Sequence, residues 1–564
     1  MQNDLNSNSD ILLMSSELVR QAAEQTSDPI AVVTEAIGKL ASDPGAVYEE
    51  PVLTALKTIR QKDEATYARL TAQAKGCKTR LDKLTALDRD SHQDSVQDDI
   101  LRLAQSNCTF NRDADGRCIA IVNNESHREV YYVDGSGFDD WLRSAYFAAY
   151  RRGIGDMQLA TAIATLSAIG KHQGTEQEVS MRCAKQGEAY YIDFCDDKWR
   201  AIRVDKLGWE IVDKPPALFT RTKNMRPLPE PRKPGQLDKL WAHINIPEDR
   251  RLLLLTWVID CFRPDTPFPI LELSGEQGSA KSSTQRHLRD LIDPNKVALR
   301  GRPKTVEDIY VGAANNWLVS FENLSHLTQE QQDALCTLAT GGGFATRQFY
   351  TNGEEHVLES KRPVVLNGIN PAASQPDLIE RAISIEAPVI PPERRKDEQA
   401  LEAAWQEDYP FILAGLLDAF SEALRLLPDI KLTHKQRMAD FQLLGEAIAR
   451  GQGHPPGYFS KLYADAVGEG TDRSLETYGI ANALQVFMAT ARKPWEGTFL
   501  MLMTELSFLP SVDHSHWPKS ARGLAYQLKR ITPGLRRRGI QVENLGHGRR
   551  GSTVRITFLP SEKG

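Results

Sequence analysis

Cysteine is scarce in this chain: seven among 564 residues, an odd number with no CxxC pair. Neither a disulfide framework nor a zinc site is indicated, and Cys77, Cys108, Cys118, Cys183, Cys195, Cys261 and Cys336 read as reduced, partly buried thiols. Long hydrophobic runs are missing, since nothing approaches the roughly 18–20 apolar residues that span a bilayer. The opening MQNDLNSNSDILLMSSE also lacks the basic segment and apolar core of a secretory signal. A soluble, cytoplasmic protein with no membrane partner is expected. An excess of positive charge is absent too: 69 Lys plus Arg stand against 75 Asp plus Glu, a net charge of −6. Any nucleic-acid contact must therefore come from local patches. No internal repeat or low-complexity tract interrupts the chain. What remains is an ordinary globular mixture, 41% hydrophobic and 26% charged. At roughly 100–200 residues per domain, the length suggests about three to four domains, each able to bury a core.

The pattern changes along the chain. Residues 1–105 carry helical spacing, as in VLTALKTIRQ and TYARLTAQAKGCKTRLDKL. Residues 106–226 turn to β-type runs (RCIAIVNN, REVYYVDG, EAYYIDFCDD, WRAIRVD, WEIVDKPPALFTR) around two helix-like stretches, FDDWLRSAYFAAYRRG and DMQLATAIATLSAIG, which predicts an α+β accessory domain. Within it Asp193, Asp196 and Asp197 fit a strand followed by a turn better than a metal site. Pro227, Pro229, Pro231 and Pro234 stiffen RPLPEPRKPG, so residues 227–265 are expected to form a linker and helical collar. Residues 266–430 alternate strands and helices and read as α/β; residues 431–564 read as helices, then two strands about a Gly-rich turn.

The strongest motif lies at 268–292. An apolar strand, Phe268–Leu273, leads through Ser274, Gly275, Glu276, Gln277, Gly278, Ser279 and Ala280 to Lys281, Ser282 and Ser283, which open the helix TQRHLRDLI. Strand, glycine-rich loop and helix N-terminus together present backbone N–H groups to phosphate, an ammonium to the β/γ-phosphates and the Ser282 hydroxyl to Mg²⁺. ATP and Mg²⁺ are the expected ligands. Ala280 replaces the last glycine of the G-x-x-x-x-G-K-[ST] pattern, and fits provided that this residue needs no positive φ.

Downstream, the strand-like Trp317–Phe321 ends in Glu322 and Asn323. Glu322 is positioned to hold the Mg²⁺ shell, or is a solvated strand-end carboxylate; Asn323 can orient water but cannot take its proton. A third apolar strand, Arg362–Leu366, ends at Asn367, an amide at a sensor position. Between these strands, Asn352-Gly353 signals a hairpin, which alone could be a plain surface feature. Arg381, at a helix end before the strand Ala382–Ile385, is either an arginine finger for a neighbouring site or an ion-pair partner of Glu380 or Asp377.

From Lys519 to Arg555, ten Lys and Arg face one acid, Glu543. The helix-like SARGLAYQLKRI, a turn at TPG, the strands IQVENL and TVRITFL and the tip GHGRRGS outline a winged helix. Lys529, Arg530, Arg536, Arg537, Arg538, Arg549 and Arg550 are its candidate DNA contacts, against the alternative of a solvated basic face. Trp495 is expected in a core.

GEQGSAKSS, WLVSFENLSHL, ATGGGFATRQFYTNGEE, RPVVLNGI and DLIERAISI, in that order, resemble the superfamily 3 branch of AAA+ ATPases, the helicase-like proteins of phages, prophages and integrative elements. The resemblance implies a multidomain α/β and α+β protein with a central AAA+-type P-loop ATPase. It further implies a ring, the homo-hexamer of that family, with ATP at subunit interfaces. Lys281 and Ser282 would lie on phosphate and Mg²⁺, Glu322 on the metal side, Asn367 as sensor and Arg381 as the finger in trans. The hairpin, with Arg347, Tyr350 and Asn352, would follow single-stranded DNA in the channel, and the C-terminal domain would take duplex. The expected function is an ATP-dependent DNA helicase or replication initiator of a mobile element, with a primase or replication partner. The alternative is a nucleotide-switched DNA-binding assembly with weak ATPase activity, an initiator, regulator or defence component that does not unwind.

Overall fold

The computed structural model describes residues 28–74, 76–85, 96–347, 355–476, 479–491, 493–509, 517–548 and 551–558. It divides into two compact units, residues 1–102 and 103–564. In the first, helices Pro29–Lys39, Glu50–Lys62, Glu64–Gln73 and Lys78–Leu84 bury a core that includes Val33, Leu56, Ile59, Tyr67, Leu70 and Leu81. Asp63 separates the second and third helices by capping the third, its carboxylate accepting from the N–H groups of Ala65 (3.0 Å) and Thr66 (3.1 Å).

The second unit is α/β and α+β. Its centre is a four-stranded parallel sheet of β1 (Ile270–Ser274), β2 (Val319–Phe321), β5 (Val364–Asn367) and β6 (Ala382–Glu386), in the order β2-β5-β1-β6. Between β2 and β5 in sequence lie β3 (Gly342–Arg347) and β4 (Glu355–Ser360), an antiparallel pair. Successive side chains of a strand face opposite sides. Leu271, Leu273, Val365, Ile383 and Ile385 accordingly enter one core with α1 (Lys281–Ile292), while Ile270, Val364, Leu366, Val319 and Phe321 enter another with helices Val306–Asn315 and Gln329–Thr340. Both faces are covered, which explains why these strands read as unbroken apolar runs.

Two antiparallel sheets precede this layer: Cys108–Arg112, Cys118–Asn123 and Arg128–Tyr132, then the meander Cys183–Gln186, Ala189–Asp193, Ala201–Asp205 and Gly208–Val212. The meander shares the first core, through Tyr190, Ile192, Phe194, Ile202 and Val204, with the long helix α2 (Glu398–Leu426). Asp193 pairs with Arg221 (2.6 Å) and Asp196 with Arg200 (2.7 Å), as expected of a strand and its turn. The proline-rich segment runs along α2: Arg232 N–H donates to Pro410 O (3.0 Å) and Gln236 N–H to Phe411 O (2.9 Å).

The C-terminal part contains α3 (Tyr458–Glu476), α4 (Gly479–Ala491), β7 (Trp495–Thr498), α5 (Phe499–Ser507), α6 (Ala521–Arg537), β8 (Ile540–Gly548) and β9 (Gly551–Phe558). The three strands form an antiparallel sheet in the order β7-β9-β8. Trp495 packs edge-on to Phe487 against this core. The expected turn at TPG is corrected: α6 runs through Pro533 to Arg537. Leu524, Leu528, Ile531 and Leu535 are all buried at helical spacing, and Gly534 packs on Leu475. That burial, at about 1.5–3 kcal/mol per large apolar side chain, offsets the roughly 3 kcal/mol cost of an interior proline.

Among the described residues no helix is long and apolar enough to cross a membrane, and no group of three or more His, Cys, Asp or Glu could hold a metal ion.

Candidate functional site

β1 is buried throughout and ends at Ser274; the chain turns through Gly275–Ala280 and enters α1 at Lys281. Gly275 has φ +145°, and a Cβ there would lie 2.6 Å from the Ala387 carbonyl oxygen. Ser279 is buried, its Oγ donating to Glu276 O (2.8 Å), while Asn245 Nδ2 donates to Ser279 O (2.9 Å). The Lys281 ammonium folds over the loop, donating to Gly275 O (2.8 Å), Glu276 O (2.7 Å) and Ser279 Oγ (3.1 Å). Burial holds its pKa below the ordinary lysine value, because desolvation disfavours the charged form.

Ala280 departs from the condition set for it. It lies at φ +53°, ψ +30°, the left-handed region that glycine occupies freely and that costs other residues roughly 1–2 kcal/mol. As the N-cap of α1 it supplies no side-chain oxygen to the first amides, so these donors have no side-chain cap from the N-cap residue. The loop and α1 line a cavity of about 580 Å³ through Gln277, Gly278, Ala280, Lys281, Ser282 and Ser283. Across it stand Asn323, Leu324, Ser325, Ile369 and Asn370, from the segments after β2 and β5. The volume falls within the roughly 300–1,000 Å³ of small-molecule sites, and the carboxyl ends of parallel strands are where open α/β sheets bind ligands. Gly275, Glu276 and Ser279 shape the loop without lining the cavity.

The acid and the amides sort differently from their sequence order. Glu322 is half-buried after β2, and the cavity is lined instead by Asn323. Asn323 has φ +55°, a backbone state that Asn tolerates better than most residues, and its N–H donates to Asn367 Oδ1 (2.9 Å). Asn367 is buried; its Nδ2 donates to Gln285 Oε1. Gln285 Nε2 in turn donates to Ser320 Oγ (2.8 Å) and Phe321 O (3.1 Å). These two amides clamp the tips of β2 and β5 to α1, and the amide residues that line the cavity are Gln277, Asn323 and Asn370.

Sequence reasoning passed over Gln285, Asn370 and Ser325. Gln285 lies four residues after Lys281, one helical turn on, and so shares its face. Asn370 precedes Pro371, a turn signal just beyond the strand.

Arg381 is partly buried; its guanidinium pairs with Asp377 and donates to Asp377 O (2.8 Å). Arg437 bridges Asp377 (2.9 Å) and Glu380 (3.0 Å). The ion pair admitted as an alternative is therefore formed within the chain. In the hairpin, pairing runs from Gly342 with Ser360 to Arg347 with Glu355. Tyr350 and Asn352, like Arg549 and Arg550 at the C-terminal tip, lie outside the described residues.

The basic helix divides. Arg538 pairs with Asp472 (2.9 Å) and donates to Gln485 Oε1 (2.9 Å), and Arg537 reaches Ala464 O (3.5 Å) and the Gly468 backbone; both tie α6 to its neighbours. Arg530 lies over the Tyr526 ring, 5.6 Å from its centroid. Lys529 and Arg536 are exposed, and so is Arg522, which the charge reading did not single out as a contact. Residues seven apart return to nearly the same face of a helix, so these three form one stripe, with Tyr526 between the first two.

Residues 237–454 match a family model described as actinomycete integrative conjugative element replication protein, and residues 480–563 match the C-terminal domain model of the same replication protein. Together the two matches span more than half of the chain. No curated protein matches. Among solved structures, the chain is similar to the A form apo structure of the NrS-1 C-terminal region, at 12% identity and a TM-score of 0.36, covering 82% of this chain and 99% of that one. A second apo structure of that region matches over the same shares at 12% identity and a TM-score of 0.35.

Proposed function

The chain belongs to the replication proteins of actinomycete integrative conjugative elements, and from that premise we propose that it is an ATP-dependent DNA motor, a helicase or replication initiator that works as a homo-hexameric ring. The observation that carries this reading is the cavity where the loop 275–280 meets α1, with Lys281, Ser282 and the uncapped first amides on its wall. That donor set fits a nucleoside triphosphate: backbone N–H groups, one ammonium and a hydroxyl converge where phosphate would lie. Lys281 and the loop amides would hold the phosphates, and Ser282 with Glu322 would hold Mg²⁺. ATP supplies the phosphoanhydride whose cleavage drives the cycle. Asn370 and Asn323 can orient water, and neither can accept its proton. Arg381, held by Asp377 in the single chain, is the residue offered to a neighbouring subunit. Arg347 stands at the last described register before the hairpin tip that would follow single-stranded DNA, with Tyr350 and Asn352 beyond it.

The element order α4-β7-α5-α6-β8-β9 and the strand order β7-β9-β8 support a winged-helix-like domain for duplex DNA, with α6 as the helix presented to it. The test is steady-state ATP hydrolysis with and without single-stranded DNA, alongside the mass in solution with a non-hydrolysable ATP analogue. DNA-stimulated turnover by a ring-sized assembly is expected; a monomer that binds no nucleotide would sink the reading.

One observation favours a second reading. Asn323 lines the cavity where a motor would place a base, which suits a nucleotide-switched DNA-binding assembly with weak ATPase activity. Fast hydrolysis restored by Asn323→Asp or Asn323→Glu would favour it.

A further inference from the structure

The segment after β6 turns back across the loop. Ala387 N–H donates to Ser274 O (2.8 Å), Asn245 Nδ2 donates to Pro388 O (2.6 Å), and Ile390 N–H donates to Gly278 O (3.1 Å). Five residues further, Arg395 rests against the same glycine: a Cβ built on Gly278 would lie 2.8 Å from Arg395 Nη2. Gly278 lines the cavity and has φ +83°, a left-handed backbone conformation that favours glycine there. The Arg395 Nε donates to Ile390 O (3.3 Å), which fixes the guanidinium plane, and among the described residues no carboxylate pairs with its two Nη groups. Arg395 is itself exposed, so these donors are open to solvent.

Charge makes the position consequential. Lys281 is the only cation on the cavity wall among the described residues, and its ammonium already bonds two loop carbonyls. A Mg-bound nucleoside triphosphate carries about two negative charges after the metal is counted, which leaves about one unmatched by a cation of the same chain on the cavity wall. An arginine anchored at the loop's apex, with two free Nη groups, matches the planar, forked geometry of phosphate oxygens.

We infer that Arg395 is a phosphate-binding residue of this same chain's nucleotide site, distinct from Arg381, which is paired away from the loop. The inference rests on the nucleotide reading above. It gives the rim 387–395 a function: the strap holds the loop closed and delivers its second cation.

The experiment is binding of fluorescent ADP and ATP analogues, with Mg²⁺ and over a range of salt, to the full chain, Arg395→Ala and Arg395→Lys. Arg395→Ala is expected to weaken both nucleotides roughly tenfold or more and to flatten the dependence of affinity on ionic strength, because one charge contact is gone. Arg395→Lys should retain the salt dependence and part of the affinity. Thermal unfolding of the nucleotide-free variants should match the wild type closely, since the side chain is exposed and its bond to Ile390 O is solvent-accessible. Wild-type affinity in Arg395→Ala would overturn the inference while leaving the nucleotide site standing, as would equal losses in the two variants with unchanged salt slopes. Failure of the wild type to bind either nucleotide would overturn both.

Discussion

Around the loop before α1, side chains position one another. Lys281 bonds the loop, Asn367 bonds Asn323 and Gln285, and Gln285 bonds the tip of β2. On the outer face of α6, Arg522, Lys529 and Arg536 stand exposed, with no carboxylate partner among the described residues. The first arrangement fixes geometry before any ligand arrives, which suits a small anion and chemistry on it. The second fixes only a spacing of charge along a helix and leaves each cation free to move, which suits a polyanion bound through screened electrostatics. Removing one member should therefore collapse function in the first region and trim it in the second.

The largest effect belongs to Lys281→Ala. We expect ATP hydrolysis to fall by about two orders of magnitude or more, with circular dichroism and the thermal midpoint little changed, because the lysine is itself partly exposed and Glu276 O, one of its partners, lies on an exposed residue. Turnover at the wild-type rate would show that the loop is not the site. Gln285→Ala comes next and tests whether the amide network is structural. It would leave Asn367 Nδ2, Ser320 Oγ and a strand carbonyl without their buried partner, for a cost of about 2–4 kcal/mol in chemical denaturation. A loss below about 0.5 kcal/mol would mean that solvent replaces these bonds and that the clamp is loose.

In the basic region the paired variant Lys529→Ala/Arg536→Ala should weaken duplex binding roughly tenfold at moderate salt and lower the salt slope by about two, one for each lost phosphate contact. Arg538→Ala is its control: Arg538 is tied to Asp472 and Gln485, so stability should fall while the slope of the remaining binding stays the same. If Arg538→Ala changes the slope and the paired variant does not, the division of α6 into free and engaged cations is wrong.

This contrast also marks what was legible. The loop could be read from sequence because its requirement is on the backbone: glycines, lysine and serine at fixed intervals between an apolar strand and a helix. The parallel strands were legible because each is buried on both faces and reads as a continuous apolar run. The charges of α6 were equally visible, but a count of arginines does not say which are consumed by neighbours distant in sequence, as Arg538 is by Asp472. Pro533 misled for a related reason, since the local signal for a turn yields to the burial of Ile531 and Leu535 on either side. Gln285 and Arg395 escaped because each acts through a partner that only the fold brings near, Asn367 in one case and Gly278 in the other.

The smallest effect is expected at Ala280. Glycine there would remove the roughly 1–2 kcal/mol of left-handed strain, and would add back roughly 0.5–1 kcal/mol through the freedom it gives the unfolded chain. The net is a gain of about 0.5 kcal/mol, a shift of a degree or less in thermal midpoint for a unit of this size. The consequence for function is sharper than the consequence for stability. If the alanine methyl only strains the loop, Ala280→Gly should leave nucleotide affinity and turnover within about twofold of the wild type. If the methyl stiffens the loop in the conformation that presents the first amides of α1, the same change should weaken ADP and ATP together while stability rises, separating preorganisation of the site from stability of the fold.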